Sequence, residues 1–428
     1  MDFTQNHRLA QITENTLIIG VDIAKRKHVA RAIDDRGRDL VKRLVFENTL
    51  LGFNDLLTWT ETLKTIERRS DVIIGMEPTG HYWLNLAYYL KAQGLKVVVV
   101  NPSKVKRSKE LDDDSPTKND TKDAKVIAQL IKDGRFNDPT LPEDLFAELR
   151  EGMKLHDMIQ EDLSSIKAQM HNALDRYFPE FFTVFKDWTG ISALHLLTQG
   201  YLPDDITNTP EEVLLEDVNR VTKRSIGIKR IRALKAAAEN SVGLRVGLNM
   251  ARHEIAYLID QYKRLTERLS LLEDKLKDLA IKIPGAEEMA KIKGIGMMTV
   301  VGFFAEVGDL TVYRDPRQII KLAGLNLKMN QSGLHKGRTS ITKRGRKRLR
   351  SLLYQVAIPL AKHNPAFSQL HNYYRTRASN PLTGKQSFVA LARKLIKVLY
   401  LMGTRECAFD PHRMIQDIPS LRAIQEAA

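Results

Sequence analysis

From residue 15 to about residue 134 the chain alternates short apolar runs with amphipathic stretches in a definite order. Leu17-Ile-Ile-Gly-Val-Asp-Ile predicts a buried strand. His28 to Ile33 and Asp39 to Phe46 predict two more, joined by a turn at Asp34-Asp35-Arg36-Gly37. Leu51, Leu56, Leu57, Trp59 and Leu63 fall at helical spacing and predict a helix from Leu50 to Ile66. A strand at Asp71 to Met76, a helix from His81 to Gln93 stopped by Gly94, a strand at Lys96 to Val100 and a helix from about Asn119 to Lys132 complete the series. The order is βββ-α-β-α-β-α, three antiparallel strands followed by crossovers that set later strands parallel to the first. The polar stretch from Pro102 to Lys118, with Asp112-Asp113-Asp114-Ser115-Pro116, reads as a mobile loop.

Beyond residue 142 the period lengthens. Leu145, Leu149, Ile159, Leu163, Ile166 and Met170 form an approximate heptad seam over Pro142 to Tyr177, interrupted by Gly152 and His156. A cleaner seam runs from Leu248 to Leu279, with Leu258, Leu265, Leu272 and Leu279 seven apart. Coiled-coil pairing is expected. The two helices can pair with each other as a hairpin tipped by Phe178 to Gly247, pair with those of another subunit, or join a helical bundle.

From Ile283 glycine and basic residues increase. Lys291-Ile-Lys-Gly-Ile-Gly fits a helix-hairpin-helix, in which the tight turn at Gly294 and Gly296, beside Lys293, lets backbone N–H groups approach a phosphate; a plain helix connection has the same look. Lys328 to Arg350 carries nine Lys and Arg and no acid. Solvated helix faces normally intersperse acids, so Lys328, Lys336, Arg338, Lys343, Arg344, Arg346, Lys347 and Arg348 read as a phosphate-contacting surface. Leu352 to Gly403 returns to structural helical packing.

Composition narrows the class. The 428 residues hold 67 Lys and Arg against 52 Asp and Glu, a formal charge of +15, which suits a polyanion such as nucleic acid. Cys407 is the single cysteine, which excludes an intrachain disulfide framework and a cysteine-based zinc site. The longest apolar stretches are of strand length and no signal peptide opens the chain, so no membrane association and a cytoplasmic location are expected.

The order of the first domain is that of a ribonuclease-H-like fold, and four carboxylates stand where such a fold brings residues together. Asp22 lies in an apolar first strand, where a carboxylate is costly unless paired or metal-bound. Glu77 follows the strand Asp71 to Met76 at its C-terminal end, where open α/β sheets bind ligands. Asp120 and Asp123 share one face of the last helix's first turn, although helix capping alone explains that pair equally well. Together the four can hold two Mg²⁺ ions, hard cations that prefer oxygen ligands and stabilise both the attacking and leaving oxygens of phosphoryl transfer. His28 and His81 lie near these strands, but lone histidines are more often structural, and neither is made a ligand.

The strand-borne Asp22, Glu77 before Pro-Thr-Gly, the run Asn119-Asp-Thr-Lys-Asp123-Ala and the segment from Ile295 to Arg350 together resemble the DEDD transposases of insertion sequences, relatives of Piv-type DNA invertases with a RuvC-like N-terminal domain. The resemblance covers roughly residues 17–134 and 283–403. It implies a C-terminal domain that supplies a nucleophilic serine, matched here by Asn330-Gln-Ser332-Gly333 ahead of Ser340-Ile-Thr-Lys-Arg-Gly345. Ser332 is the candidate, attacking a DNA phosphate to leave a phosphoserine and a free 3′-OH. The doubled serine and doubled glycine often present in the family are single here. The resemblance further implies donor and target DNA as substrates, a structured noncoding bridge RNA as guide, and dimers that join into a tetramer.

The expected architecture is α/β plus all-α: a RuvC-like catalytic domain over 15–136, a coiled-coil region with a central insertion over 142–282, a C-terminal transposase domain over 283–403, and a tail over 404–428. The expected protein is a nucleoid-associated prokaryotic recombinase. The competing enzyme is a RuvC-like junction nuclease in which the carboxylates activate water and the serine is idle. An actin-like ATPase shares the opening strands, but no ATP-binding glycine loop accompanies them. A non-enzymatic RNA-binding or architectural protein would be favoured by loss of a carboxylate, and none is missing.

Overall fold

The computed structural model describes residues 3–112, 120–139, 141–222, 226–328, 331–332, 335–336, 339–415 and 418. The chain divides into two compact units, Met1–Leu141 and Pro142–Ala428, so the stretches 142–282 and 283–403 belong to one unit.

In the first unit, α1 (Phe3–Leu9) precedes β1 (Thr16–Asp22), β2 (Lys27–Ile33), β3 (Leu44–Glu47), α2 (Leu50–Ile66), β4 (Asp71–Met76), α3 (Tyr82–Ala92), β5 (Lys96–Val100), α4 (Pro102–Asp112), α5 (Asp120–Lys132) and β6 (Phe136–Asn137). The strands form one mixed sheet in the order β3-β2-β1-β4-β5-β6, consistent with a ribonuclease-H-like domain. Its centre is parallel, with β1 paired to β4 from Thr16↔Asp71 to Val21↔Met76, and β2 antiparallel on the other side of β1. Alternation along β1 sorts the two faces. Leu17, Ile19 and Val21 join Phe53, Leu56, Leu86 and Leu90 of α2 and α3 in one core layer. Ile18, on the opposite face, packs with Ile73, Val98, Ile127, Ala128 and Ile131 under α4 and α5.

Two expectations change here. Pro102 to Asp112 is helical rather than loop, a largely polar helix with a buried Val105, which is too little to leave a periodic signal; residues 113–118 of the expected loop lie outside the described residues. The third strand is shorter than Asp39 to Phe46, because Asp39 leaves the ladder after a single bridge to Ile33 to meet Arg31 and Lys125.

In the second unit, α6 (Asp144–Tyr177) and α12 (Leu248–Ile281) are each 34 residues long. Leu149 and Met153 near the start of α6 share a core with Leu276 and Ala280 near the end of α12. Ile166 and Met170 share a second core with Ile255 and Leu258. The helices therefore pair antiparallel within the chain. The two interruptions of the heptad seam are contacts across this pair. A Cβ at Gly152 would lie 2.5 Å from Leu276 Cδ2, and His156 Nε2 lies 3.3 Å from Glu273 Oε1.

Between them, α7 (Phe181–Val184), α8 (Ile191–Thr198), α9 (Pro203–Asn208), α10 (Glu211–Thr222) and α11 (Ile228–Glu239) build a small helical body on the hairpin's end, centred on Phe178, Phe181 and Trp188. After the hairpin come α13 (Ala286–Ala290), α14 (Met297–Val307), α15 (Pro316–Leu322), the short strands β7 (Leu327–Lys328), β8 (Gln331–Ser332), β9 (His335–Lys336) and β10 (Ser340–Ile341), then α16 (Lys347–His363), α17 (Pro365–Thr376), α18 (Gly384–Arg405) and α19 (Pro411–Ile415). Helices α14, α16 and α18 supply most of the core there. Among the described residues no helix is long and apolar enough to cross a membrane.

Candidate active site

Asp22 is the last residue of β1, half-buried, rather than enclosed in mid-strand as the apolar run suggested. Glu77, also half-buried, directly follows β4. Because Val21 is in register with Met76, the two carboxylate-bearing residues leave neighbouring parallel strands at the same level. Asp22 has the parity of Ile18 and Gly20, and Glu77 that of Ile73 and Gly75, so both belong to the sheet face covered by α5.

Gly20 sets how closely α5 approaches. A Cβ there would stand 2.1 Å from the Ala124 carbonyl oxygen and 2.5 Å from the Ala128 nitrogen, so α5 crosses β1 almost backbone to backbone. Lys132, at the other end of α5, packs over Gly37 in the turn after β2, level with the start of β1. Hence α5 runs against β1, and its first turn lies toward Asp22. Asp120 opens the helix and Asp123 precedes Ala124, which places both positions at the strand ends that carry Asp22 and Glu77. Asp123 is half-buried, while the side chain of Asp120 lies outside the described residues. Among the described residues no three His, Cys, Asp or Glu side chains stand ready as a metal cluster.

The helix is fastened by charge as well as by core. Asp39 accepts from Lys125 Nζ of α5 at 2.7 Å and pairs with Arg31 Nη2 of β2 at 2.8 Å. Burial alone would raise the Asp39 carboxyl, but the hydrogen bonds and charges of Lys125 and Arg31 hold it below its ordinary value. Sequence reasoning passed over this triad because Lys125 lies 86 residues from Asp39 in the chain. His28 is fully buried, its Nδ1 accepting the Ala24 N–H at 3.2 Å and its ring against Phe46 and Phe53; burial lowers its pKa despite the nearby Asn48. It is a core residue, facing away from the carboxylates' side of the sheet with Phe46 and Phe53.

In the second unit Ser332 sits on a short arm. Strand β7 pairs with β10 through Leu327↔Ile341 and Lys328↔Ser340, and inside that pairing β8 meets β9 through Gln331↔Lys336 and Ser332↔His335. Ser332 and His335 form the innermost pair. The side chains of Ser332 and Lys336 and all of Arg338 lie outside the described residues.

Lys328, Lys343, Arg344 and Lys347 are exposed around the base of the arm. Arg346 and Arg348 are engaged internally. Arg346 donates to the Glu306 carbonyl, and Arg348 donates to the Met153 carbonyl and pairs with Asp157 at 2.8 Å. Gly294, at φ +100°, packs on Leu360 between α13 and α14, Gly296 caps α14, and Lys293 is exposed.

Comparison with known proteins agrees with this layout. A DEDD-type transposase model of IS110 elements matches residues 19–179, and a model described as transposase, IS116/IS110/IS902 family, matches residues 286–372. The chain is 26% identical to an uncharacterised 44.8 kDa protein of insertion element IS116 from Streptomyces clavuligerus, over 92% of this chain and 96% of that one. It is 24% identical to a pilin gene-inverting protein of Moraxella bovis, over 92% and 97%. A transposase of insertion sequence element IS1111A from Coxiella burnetii is 26% identical over 33% of this chain and 38% of its own. The two family matches fall on the sheet with its carboxylates and on the helices with the basic arm, and the chain belongs to the IS116/IS110/IS902 family of transposases.

Proposed function

We propose that this transposase is a site-specific recombinase in which Ser332 attacks a DNA phosphate with the assistance of Mg²⁺ held by Asp22, Glu77, Asp120 and Asp123. The observation that carries the reading is the meeting of three chain segments at one end of the sheet: the ends of β1 and β4 in register, and the first turn of α5 drawn down by the glycine at position 20. The donor set fits the ion, since all four residues offer carboxylate oxygens, which Mg²⁺ prefers. When bound, Mg²⁺ neutralises charge on the phosphate and its entering and leaving oxygens.

In the proposed step the bond from Ser332 Oγ to phosphorus forms while the bond from phosphorus to the 3′ oxygen breaks. The serine hydroxyl loses its proton and the 3′ oxygen gains one. A phosphodiester is exchanged for a phosphoserine ester, so reversal by another 3′-OH rejoins DNA with no nucleotide cofactor. The exposed Lys328, Lys343, Arg344 and Lys347 hold the backbone near the arm, and Lys293 with the Gly294 and Gly296 turn offers a further phosphate contact. The relatives' names, an insertion element protein and a gene-inverting protein, support DNA cleavage followed by rejoining rather than cleavage alone. A noncoding guide RNA and a tetrameric synaptic complex complete the proposal.

The test is a denaturing gel with intact mass of the full chain, incubated with Mg²⁺, co-purifying RNA and DNA spanning the gene's native flanks. A protein–DNA adduct in wild type, absent from Ser332→Ala and Asp123→Ala, is expected. Metal-dependent cleavage that persists in Ser332→Ala without any adduct overturns serine attack and leaves a carboxylate nuclease.

A further inference from the structure

Helix α14 reads Met-Met-Thr-Val-Val-Gly-Phe-Phe-Ala-Glu-Val, and its one charged residue, Glu306, is only 8% exposed. A buried carboxylate in such surroundings is costly unless it is paired. Its partners come from the end of the basic segment. Arg346 donates to the Glu306 carbonyl and its Nη1 lies 3.9 Å from Glu306 Oε2; Arg348 Nε lies 4.0 Å from Glu306 Oε1. Arg348 reaches on to α6, pairing with Asp157 and donating to the Met153 carbonyl.

These arginines stand at the N-cap and second residue of α16, whose first turn contains no acid. A helix N-terminus carries partial positive charge and disfavours cations, so the arrangement needs carboxylates from elsewhere, and Glu306 and Asp157 supply them. The rest of the stem is laced to the last residue of α15 and the segment after it by backbone bonds: Arg346 N to Leu322 O at 2.7 Å, Lys343 N to Gly324 O at 3.0 Å and Thr342 N to Asn326 O at 2.8 Å.

We infer that Glu306 and Asp157 are positioning residues that clamp the stem of the serine arm through Arg346 and Arg348, and that these two arginines are anchors rather than phosphate contacts. The inference deepens the proposed function, resting on the arm as the segment that carries the reactive hydroxyl. Burial and the neighbouring Arg150 both lower the proton affinity of Arg346, as expected of a guanidinium enclosed by protein.

The test uses the full chain and a 40-bp duplex. Binding is measured across a salt series, and hydrogen exchange is followed over residues 339–346. Each lost phosphate contact lowers the slope of log K against log salt by about 0.9. Arg348→Ala and Glu306→Gln are expected to leave the slope unchanged and to raise exchange over 339–346 by about tenfold, the double variant being no worse than the worse single one. Arg348→Lys keeps a charge for phosphate but cannot bridge Asp157, Glu306 and the Met153 carbonyl together, so it is expected to behave as Arg348→Ala. On the cleavage substrate, the rate at saturating DNA falls about 10²-fold with KM within about twofold, as expected of a misplaced reacting group.

A slope reduced by about 0.9 in Arg348→Ala, with exchange unchanged and Arg348→Lys like wild type, overturns the anchor and makes Arg348 a phosphate contact. Should Arg348→Ala not fold, Arg348→Lys and Glu306→Gln decide on the same two readouts. Failure of the serine mechanism is separately visible as full cleavage by Ser332→Ala, which the slope and exchange measurements do not depend on.

Discussion

Replacing Gly20 with alanine places a methyl group where the α5 backbone now lies. The new Cβ would be 2.1 Å from the Ala124 carbonyl oxygen, and ordinary contact needs about 3.4 Å, so strand and helix must part by about 1 Å. The obstacle is backbone on both sides and cannot rotate away. Overpacking of this kind costs about 1–3 kcal/mol, which for a unit of this size lowers Tm by roughly 3–10 °C. The larger effect is on geometry: Asp120 and Asp123 ride on the first turn of the displaced helix while Asp22 stays on the strand. A 1 Å error between reacting groups costs about 10²-fold in rate. Gly75→Ala is the matched control, because Gly75 is the register partner of Gly20, yet its added Cβ would meet the Ile131 Cδ1 methyl at 2.3 Å and the Val98 Cγ2 methyl at 2.9 Å, both on side chains that can turn. Strand cleavage of native-flank DNA, with Tm read in parallel, should therefore fall about 10²-fold in Gly20→Ala and no more than about tenfold in Gly75→Ala. Wild-type cleavage by Gly20→Ala at a lowered Tm would refute the claim that close approach of α5 to β1 builds the carboxylate site.

Trp188, 1% exposed and edge-on to Tyr262 of α12 at 4.9 Å, should cost about 3–5 kcal/mol on Trp188→Ala, with hydrogen-exchange protection lost across 178–239 and kept in the sheet of the first unit. Gly152→Ala should destabilise by about 1–3 kcal/mol against Leu276 and should cost less when made in a Leu276→Ala background, giving a favourable coupling in a double-mutant cycle of denaturant midpoints. Asp34 is fully buried; burial would raise its carboxyl, but the Arg38 and Arg36 backbone N–H groups and the Arg38 guanidinium hold it below its ordinary value. Its contribution is therefore complete above about pH 3.9, the unfolded value, and is lost as pH falls through the lower folded value; acid titration of the first unit's melting should show that loss in wild type and not in Asp34→Asn.

The strands of the first unit were legible because burial on both faces writes a continuous apolar run, as in Leu17 to Val21, and helix α2 because Leu56, Leu57, Trp59 and Leu63 pack on the core at helical spacing, although Leu51, counted with them, is exposed. Helix α4 was not, since Val105 and Leu111, six apart among Lys, Arg, Ser and Glu, do not fall at helical spacing. Asp22 could be picked out as a carboxylate within an apolar run, and Glu77 as one at the end of another. Their shared level could not, because register belongs to the pairing of strands and not to either strand. Gly152 and His156 looked like faults in a seam; only with α12 in place does Gly152 make room for Leu276. In the basic segment every Arg and Lys reads alike, whereas the fold separates exposed Lys343, Arg344 and Lys347 from the internally bonded Arg346 and Arg348. One clue to that division was available: the solitary acid at the end of the apolar run Val300 to Ala305.

The α6 and α12 hairpin has a consequence for how such a chain can change. Each helix of 34 residues spans about 50 Å, with one core at its base and another at its far end. Inserting one heptad into α6 and one at the facing level of α12 would lengthen the span by about 10 Å while returning every seam residue to its face. An insertion of one or two residues would instead rotate one face away from the other. The separation between the two cores is thus a stepped quantity, adjustable by matched seven-residue changes that leave both ends intact, and lineages that differ in this length should differ by multiples of seven.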